Sequence, residues 1–231
     1  MSELAFEGFG DNAMPFLKAL GFHQSREWFQ ENRKIYDADL FMPFVALLES
    51  ANERLAAKKI PLRGERKTSL FRINRDIRFS KEKHPYNTRV SGVLTRTGTK
   101  KDTGGLYMHF EPDNCFLASG LWFPPGPKLK AMREQIVARK TAFFKLTKAL
   151  EMAGLPIGHE QMVTRTPLGF KDVDDPDLLF WLKHKSFIIQ HKLDEKVIHT
   201  PKLLDEIEQF GGKIMPFMQF VWRATDPLRE E

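Results

Sequence analysis

The sequence predicts an α+β fold, a mostly antiparallel sheet flanked by helices. Three observations lead there: apolar residues recur at helical spacing in the first and last thirds, they alternate in the middle third, and two alternating segments are joined by a short turn. With 231 residues, 42% of them hydrophobic, and 20 Phe, the chain is long and apolar enough for a sizeable core. It reads as one domain over 1–231: helical over 14–58, strand-rich over 68–123, and helical with one further strand over 127–223.

Trp28, Ile35, the apolar cluster at 41–45, Leu48, Ala51 and Leu55 recur at helical spacing in the first third. Pro43 cannot continue a helix without losing a hydrogen bond, so a kink or break is expected, with Pro43 opening the second half. In the middle third a strand is expected over 70–79. Phe71, Ile73, Ile77 and Phe79 take one side with Arg75 as intruder, and Arg72, Asn74, Asp76 and Arg78 take the other. "RVSGVL" at 89–94 is the next strand, and the polar, basic tip after it, "TRTGTKKDTGG", reads as mobile. "LYMHFEPDNCFLASGLWF" reads as a hairpin turning at Pro112, Asp113 and Asn114. Trp28, Phe29, Phe71, Phe79 and Trp122 are expected in the core.

In the last third Leu129, Met132, Ile136, Phe143 and Leu150 mark one helix, starting near Pro127 and stopping at Gly154. The Asp-rich loop at 172–177 caps a helix beginning near Pro176. "SFIIQHKL" at 186–193 is one more strand. Thr200 and Pro201 open a helix through Phe210 that Gly211 and Gly212 are expected to close.

The single cysteine, Cys115, excludes an intramolecular disulfide and suits a reducing compartment. Glu3, Glu7 and Asp11 stand where a signal peptide would be basic and then apolar, and the longest strongly apolar run, "FMPFVALL", falls far short of the roughly 20 residues a bilayer crossing needs. A cytoplasmic protein without membrane association is expected. The net charge of +6 is unevenly spread. From 58 to 101 there are 14 Lys and Arg against Glu65, Asp76 and Glu82, while the remainder holds 22 basic and 27 acidic residues. Such a distribution focuses a positive field on one segment.

That segment centres on "FRINRDIRFSKEKHPYNTRVSG", residues 71–92. On an extended strand Arg72, Asn74, Asp76 and Arg78 project to one side at intervals of about 6.6 Å. A guanidinium binds carboxylate or phosphate with two parallel hydrogen bonds, and Asp76 among the arginines orients one fork while leaving other donors unpaired. Lys81, Lys83, His84, Tyr86 and Arg89 add further donors. Two readings stay open for Arg72, Asp76 and Arg78: an anion site, or a structural ion network, which Arg75 on the apolar side already suggests. The excess of Lys81, Lys83 and Arg89 over Glu82 favours a site. No glycine lies between Gly64 and Gly92, so side chains rather than a P-loop would grip the anion.

At "RINRDIRFSKEKHPY", 72–86, the chain resembles a widespread bacterial family catalogued as domain of unknown function 2461. The resemblance continues in "REWFQENRKIYD", "HFEPDN", "ASGLWFP" and "TPLGF", and so covers nearly the whole chain. It implies a single compact domain of about this length and carries over no catalytic assignment. Three places depart from the family pattern. Glu82 stands where Asp or Asn is common, "HQS" at 23–25 replaces a more Asn- or Asp-like turn, and Asp175 replaces a frequent His.

Asp76, His84 and His109 are the candidates for acid–base chemistry, with His84 preferred because it sits inside the basic loop. His109 shares one strand face with Tyr107 and Glu111, a phenol–imidazole–carboxylate row that suits proton transfer but also suits a solvated hairpin. One Cys and scattered His give none of the standard zinc spacings, so no metal is expected, and the cofactor is left unassigned. The partner expected first is a small anionic ligand held by Arg72, Arg75, Arg78, Lys81, Lys83, Tyr86 and Arg89. The alternatives are nucleic acid bound through the basic 58–101 segment, and a non-catalytic role in which that segment docks an acidic surface.

Overall fold

The computed structural model of the chain describes residues 5–78, 81–159 and 161–228. Its first helices are α1 (Ala13–His23), α2 (Arg26–Glu31), α3 (Arg33–Ile35) and α4 (Met42–Ala57), and a π-helical segment, Tyr36–Phe41, leads into α4. Pro43 lies in the first turn of α4 and, lacking an amide, cannot extend the π-helical bonding in which the Met42 amide donates to the Asp37 carbonyl. The expected break is the π-helical segment just before it. A short α5 (Arg66–Ser69) precedes β1 (Val90–Leu94), β2 (Leu106–Phe110) and β3 (Phe116–Leu121). Then come α6 (Gly126–Ala138), α7 (Lys140–Met152), α8 (Pro176–Leu182), β4 (Phe187–Lys192), α9 (Glu195–Ile198) and α10 (Leu203–Thr225). The strands form an antiparallel sheet in the order β1-β2-β3-β4, flanked by helices. The predicted α+β class, hairpin and fourth strand are all present.

The register of β1 on β2 sorts the side chains by face. Val90 lies opposite Phe110 and Gly92 opposite Met108, whereas Ser91 lies opposite His109 and Val93 opposite Tyr107. Alternation therefore puts Val90, Met108 and Phe110 on one face and Ser91, Tyr107 and His109 on the other. The first face is core. Phe9, Phe44 of α4 and Phe110 form a closed aromatic triangle with ring centroids 5.1 to 5.7 Å apart. Truncating fully buried Phe110 to Ala would cost about 3–5 kcal/mol.

The chain divides into two compact units. One comprises Met1–Asp102, Leu106–Leu117 and Lys192–Gly211, the other Thr103–Gly105, Ala118–His191 and Gly212–Glu231. In the second, fully buried Phe143 meets Trp181 at 5.2 Å and Phe220 at 5.3 Å. Gly120, at φ +128°, would place an added Cβ 2.0 Å from the Phe187 carbonyl oxygen, so only glycine fits there.

Several expectations need correction. Residues 71–78 form no strand; the chain bends at Ile73 and Arg78, with isolated bridges from Leu70 to Gly92 and from Asn74 to Tyr86. Three residues separate the bridges on one side and five on the other, so pairing slips by two and no continuous ladder forms. Phe79 lies outside the described residues. The helix expected over 127–154 is split at Arg139 (φ −125°, ψ 40°), which nothing in the structure explains, while Met132, Ile136, Phe143 and Leu150 stay buried. Helix α10 runs through Gly211, Gly212 and Pro216 instead of stopping. Trp122, expected in the core, is 66% exposed, and Phe71 is 44% exposed. The tip after β1 carries internal hydrogen bonds. Thr95 hydroxyl donates to the Thr99 carbonyl (3.0 Å), and Asp102 accepts from the Thr97 amide (3.2 Å). Among the described residues no helix is long and apolar enough to cross a membrane.

Candidate functional site

The non-core face of β2 carries Tyr107 and His109, and Glu111 follows at the same two-residue interval. They form one hydrogen-bonded row. The Tyr107 hydroxyl is 3.1 Å from His109 Nδ1, and His109 Nε2 is 3.2 Å from Glu111 Oε2. An ionised carboxylate only accepts, so the proton of neutral His109 sits on Nε2, and Nδ1 accepts from the phenol. His109 is 7% exposed and stacks on Phe116 of β3, centroids 4.4 Å apart and planes 14° apart. Burial pushes its pKa down, with nearby Arg89 in the same direction, against the opposing pull of Glu111. Burial would raise the Glu111 carboxyl, but hydrogen bonds from Thr88, His109 and Asn114 outweigh it and hold Glu111 below its ordinary value. A neutral imidazole between an ionised carboxylate and a half-buried phenol is poised to take a proton.

The slipped pairing beside β1 completes the site. The two surplus residues fall between Tyr86 and Gly92, where Thr88 and Arg89 bend the chain. Bulges re-aim side chains. Here the Thr88 hydroxyl reaches Glu111 Oε1 at 2.6 Å, while Asn114 Nδ2 donates to Glu111 Oε2 at 3.3 Å. Arg89 lies near enough to His109 to lower its pKa, yet forms no side-chain hydrogen bond or ion pair among the described residues. At the other end of the row, Phe71 packs edge-on to Tyr107 at 5.9 Å, and the Lys100 ammonium lies 5.1 Å over the Phe71 ring. Lys100 Nζ also donates to the Leu70 carbonyl at 2.6 Å.

The other residues singled out from the sequence are placed differently. Arg78 closes on Asp76 through two bonds, Nε to Oδ1 at 2.9 Å and Nη2 to Oδ2 at 2.6 Å, both side chains exposed. That guanidinium holds the Asp76 carboxyl below its usual value. Arg75 faces Glu82 at 3.7 Å, and Lys83 donates to the Ile77 carbonyl at 3.1 Å. Arg72, Lys81 and His84 are exposed, with no side-chain partner among the described residues. Tyr86 is core, 3% exposed and stacked on Phe29 at 4.6 Å. Of the expected site residues, the structure thus brings His109 and Arg89 together and leaves Asp76 and His84 on the exposed stretch before Tyr86.

The three departures from the family pattern have structural partners. Gln24 clamps Tyr86, its Nε2 donating to the Tyr86 carbonyl (3.2 Å) and its Oε1 accepting from the Tyr86 amide (3.1 Å), and Ser25 caps α2. Glu82 pairs with Arg75. Asp175 caps α8 and binds Lys140. Burial pushes the Cys115 thiol up to about 11, which makes it unreactive near neutrality. Among the described residues no group of three or more His, Cys, Asp and Glu is placed to hold a metal ion.

A family model described as conserved hypothetical protein (DUF2461) matches residues 12–220. No curated protein and no solved structure matches the chain.

Proposed function

For this chain, which belongs to the DUF2461 family of conserved hypothetical proteins, we propose binding of a small anionic ligand over the Tyr107–His109–Glu111 face, with proton transfer to or from it. The observation that carries this reading is the unbroken row from phenol to carboxylate, with a guanidinium beside it that has no partner among the described residues. A phosphate or carboxylate pairs with Arg89, which desolvates poorly without an anion. The phenolic oxygen takes a proton from the ligand as it passes its own to His109 Nδ1, and the resulting imidazolium rests against Glu111. The reverse sequence returns the proton. Positioned acid–base groups of this kind contribute about 10²–10⁴-fold in rate.

A thermal-shift screen of nucleotides, sugar phosphates and organic acids tests the binding step. A ligand with a micromolar constant, present at millimolar concentration, adds about 4 kcal/mol of stability. The response is expected to vanish in Arg89→Ala and persist in Tyr107→Phe, whose turnover is lost. A screen in which no anion stabilises the chain sinks the reading.

A second reading, nucleic-acid binding by the basic segment, draws on the exposure of Arg72, Lys81, Lys83 and His84. It leaves the Tyr107–His109–Glu111 row without a task.

A further inference from the structure

We infer that the ligand of this site is a flat unsaturated ring carrying the anionic group, an inference that rests on the anion-binding reading above. The lining supports a ring and disfavours a polyol. Phe116 stacks on His109, and Tyr107 lies 6.1 Å from Phe116 and 5.9 Å from Phe71, so two aromatic side chains, Phe116 and Phe71, flank the acid–base row. Phe71 stands 44% exposed beside Tyr107, with the Lys100 ammonium at its ring. An exposed phenylalanine next to a cation offers apolar area and positive charge in one place, which a planar anion uses together.

The polar groups point the same way. Thr88, Asn114 and His109 all direct their hydrogen bonds at Glu111, and Tyr107 at His109, so few are left for a ligand. A sugar phosphate would bury hydroxyls against rings that cannot bond them, whereas a heteroaromatic or benzenoid acid would not. Arg89 acts on His109 and Lys100 lies over the Phe71 ring beside Tyr107, so positive charge stands along the row, which suits an anionic group on one side of a ring.

The test compares matched anions with and without a ring: adenosine monophosphate against ribose 5-phosphate, and benzoate against acetate, each titrated calorimetrically into the full chain. Ring-bearing anions are expected to bind at least about tenfold tighter, the range that one aromatic stacking contact supplies. Phe71→Ser, at an exposed position, is expected to abolish that preference while leaving ribose 5-phosphate and acetate unchanged. Equal affinities with and without a ring in the wild-type chain overturn the inference but leave anion binding standing. Unchanged ring preference in Phe71→Ser, with the melting temperature preserved, overturns it as well. Failure of every anion removes both. Should Phe71→Ser unfold, the wild-type comparison decides alone.

Discussion

Thr88 and Asn114 fix where the His109 proton resides, because they hold Glu111 ionised and turned toward Nε2. Removing the Thr88 hydroxyl leaves a partly buried carboxylate short of one donor, a loss worth about 1.5–3 kcal/mol for a bond to a charged group. Thr88→Val is therefore expected to lower the urea midpoint by a corresponding amount and to raise the pKa of Glu111. Arg78→Ala, which removes one of two exposed partners, is expected to leave the midpoint unchanged. A second residue-scale prediction concerns acid. His184 is 0% exposed and stacked on Trp181 at 4.8 Å, its Nδ1 on the Phe180 carbonyl and its Nε2 without a partner among the described residues. Burial lowers its pKa below the ordinary 6.5 against the opposing pull of the Phe180 and Trp181 backbone, and His159 and Arg133 add to the fall. His109 is lowered too. Below pH 6.5 the unfolded chain then binds more protons than the folded one, so stability is full above that value and declines beneath it. The slope is at most about 1.4 kcal/mol per pH unit for each histidine. Urea titrations at pH 7.5 and 5.5 check this, and His184→Phe is expected to flatten the decline. A decline equally steep in that variant would clear His184 of any part in it.

Among the elements, the hairpin of β2 and β3 was legible because a period-two pattern and a turn at 112–114 agree with each other. The stretch at 70–79 shows the same alternation and yet forms no ladder, since pairing depends on a partner in register and two surplus residues intervene. That same slip delivers Thr88 and Arg89 to the site, so sequence periodicity missed the strand's failure and its use together. Tyr107, His109 and Glu111 were visible as a two-residue repeat, but Thr88 meets Glu111 across 23 positions and Phe116 meets His109 across the turn. Only the fold supplies those pairings. Helix α10 misled for a related reason. Two glycines read as a stop, but Ile207, Phe210, Ile214, Phe217, Met218 and Val221 keep an apolar stripe buried straight through them, and that burial overrides local preference. Gly212 is exposed, with nothing within 4 Å of an added Cβ, so Gly212→Ala is expected to stabilise by about 0.5–1 kcal/mol. Gly211→Ala gains the same propensity but sets its Cβ 3.1 Å from Leu55 Cδ2, and its midpoint should fall below that of Gly212→Ala. A midpoint for Gly212→Ala below that of the parent chain would contradict this account of the helix.

For the molecule as a whole, the question is whether its 14 cations between 58 and 101 act as one surface. Among the described residues the structure pairs four of them with carboxylates. Lys58 pairs with Glu208 at 3.3 Å, Arg75 with Glu82, Arg78 with Asp76 and Arg96 with Asp102 at 3.8 Å. On the exposed stretch before Tyr86, Arg72, Lys81 and Lys83 are without an acidic partner among the described residues. Each phosphate neutralised on a single strand contributes about −0.7 to the slope of log K against log salt. Three contacts then give a slope of about −2, whereas the whole segment acting together would give about −10. Fluorescence anisotropy with a labelled oligothymidine between 50 and 200 mM salt separates the two. The shallow slope is expected, with weak binding that Lys81→Glu reduces further and that leaves the response to a small anion at Arg89 intact. A slope approaching −10 would mean that the ion pairs open on contact and that the polyanion, not the small ligand, is what this charge distribution serves.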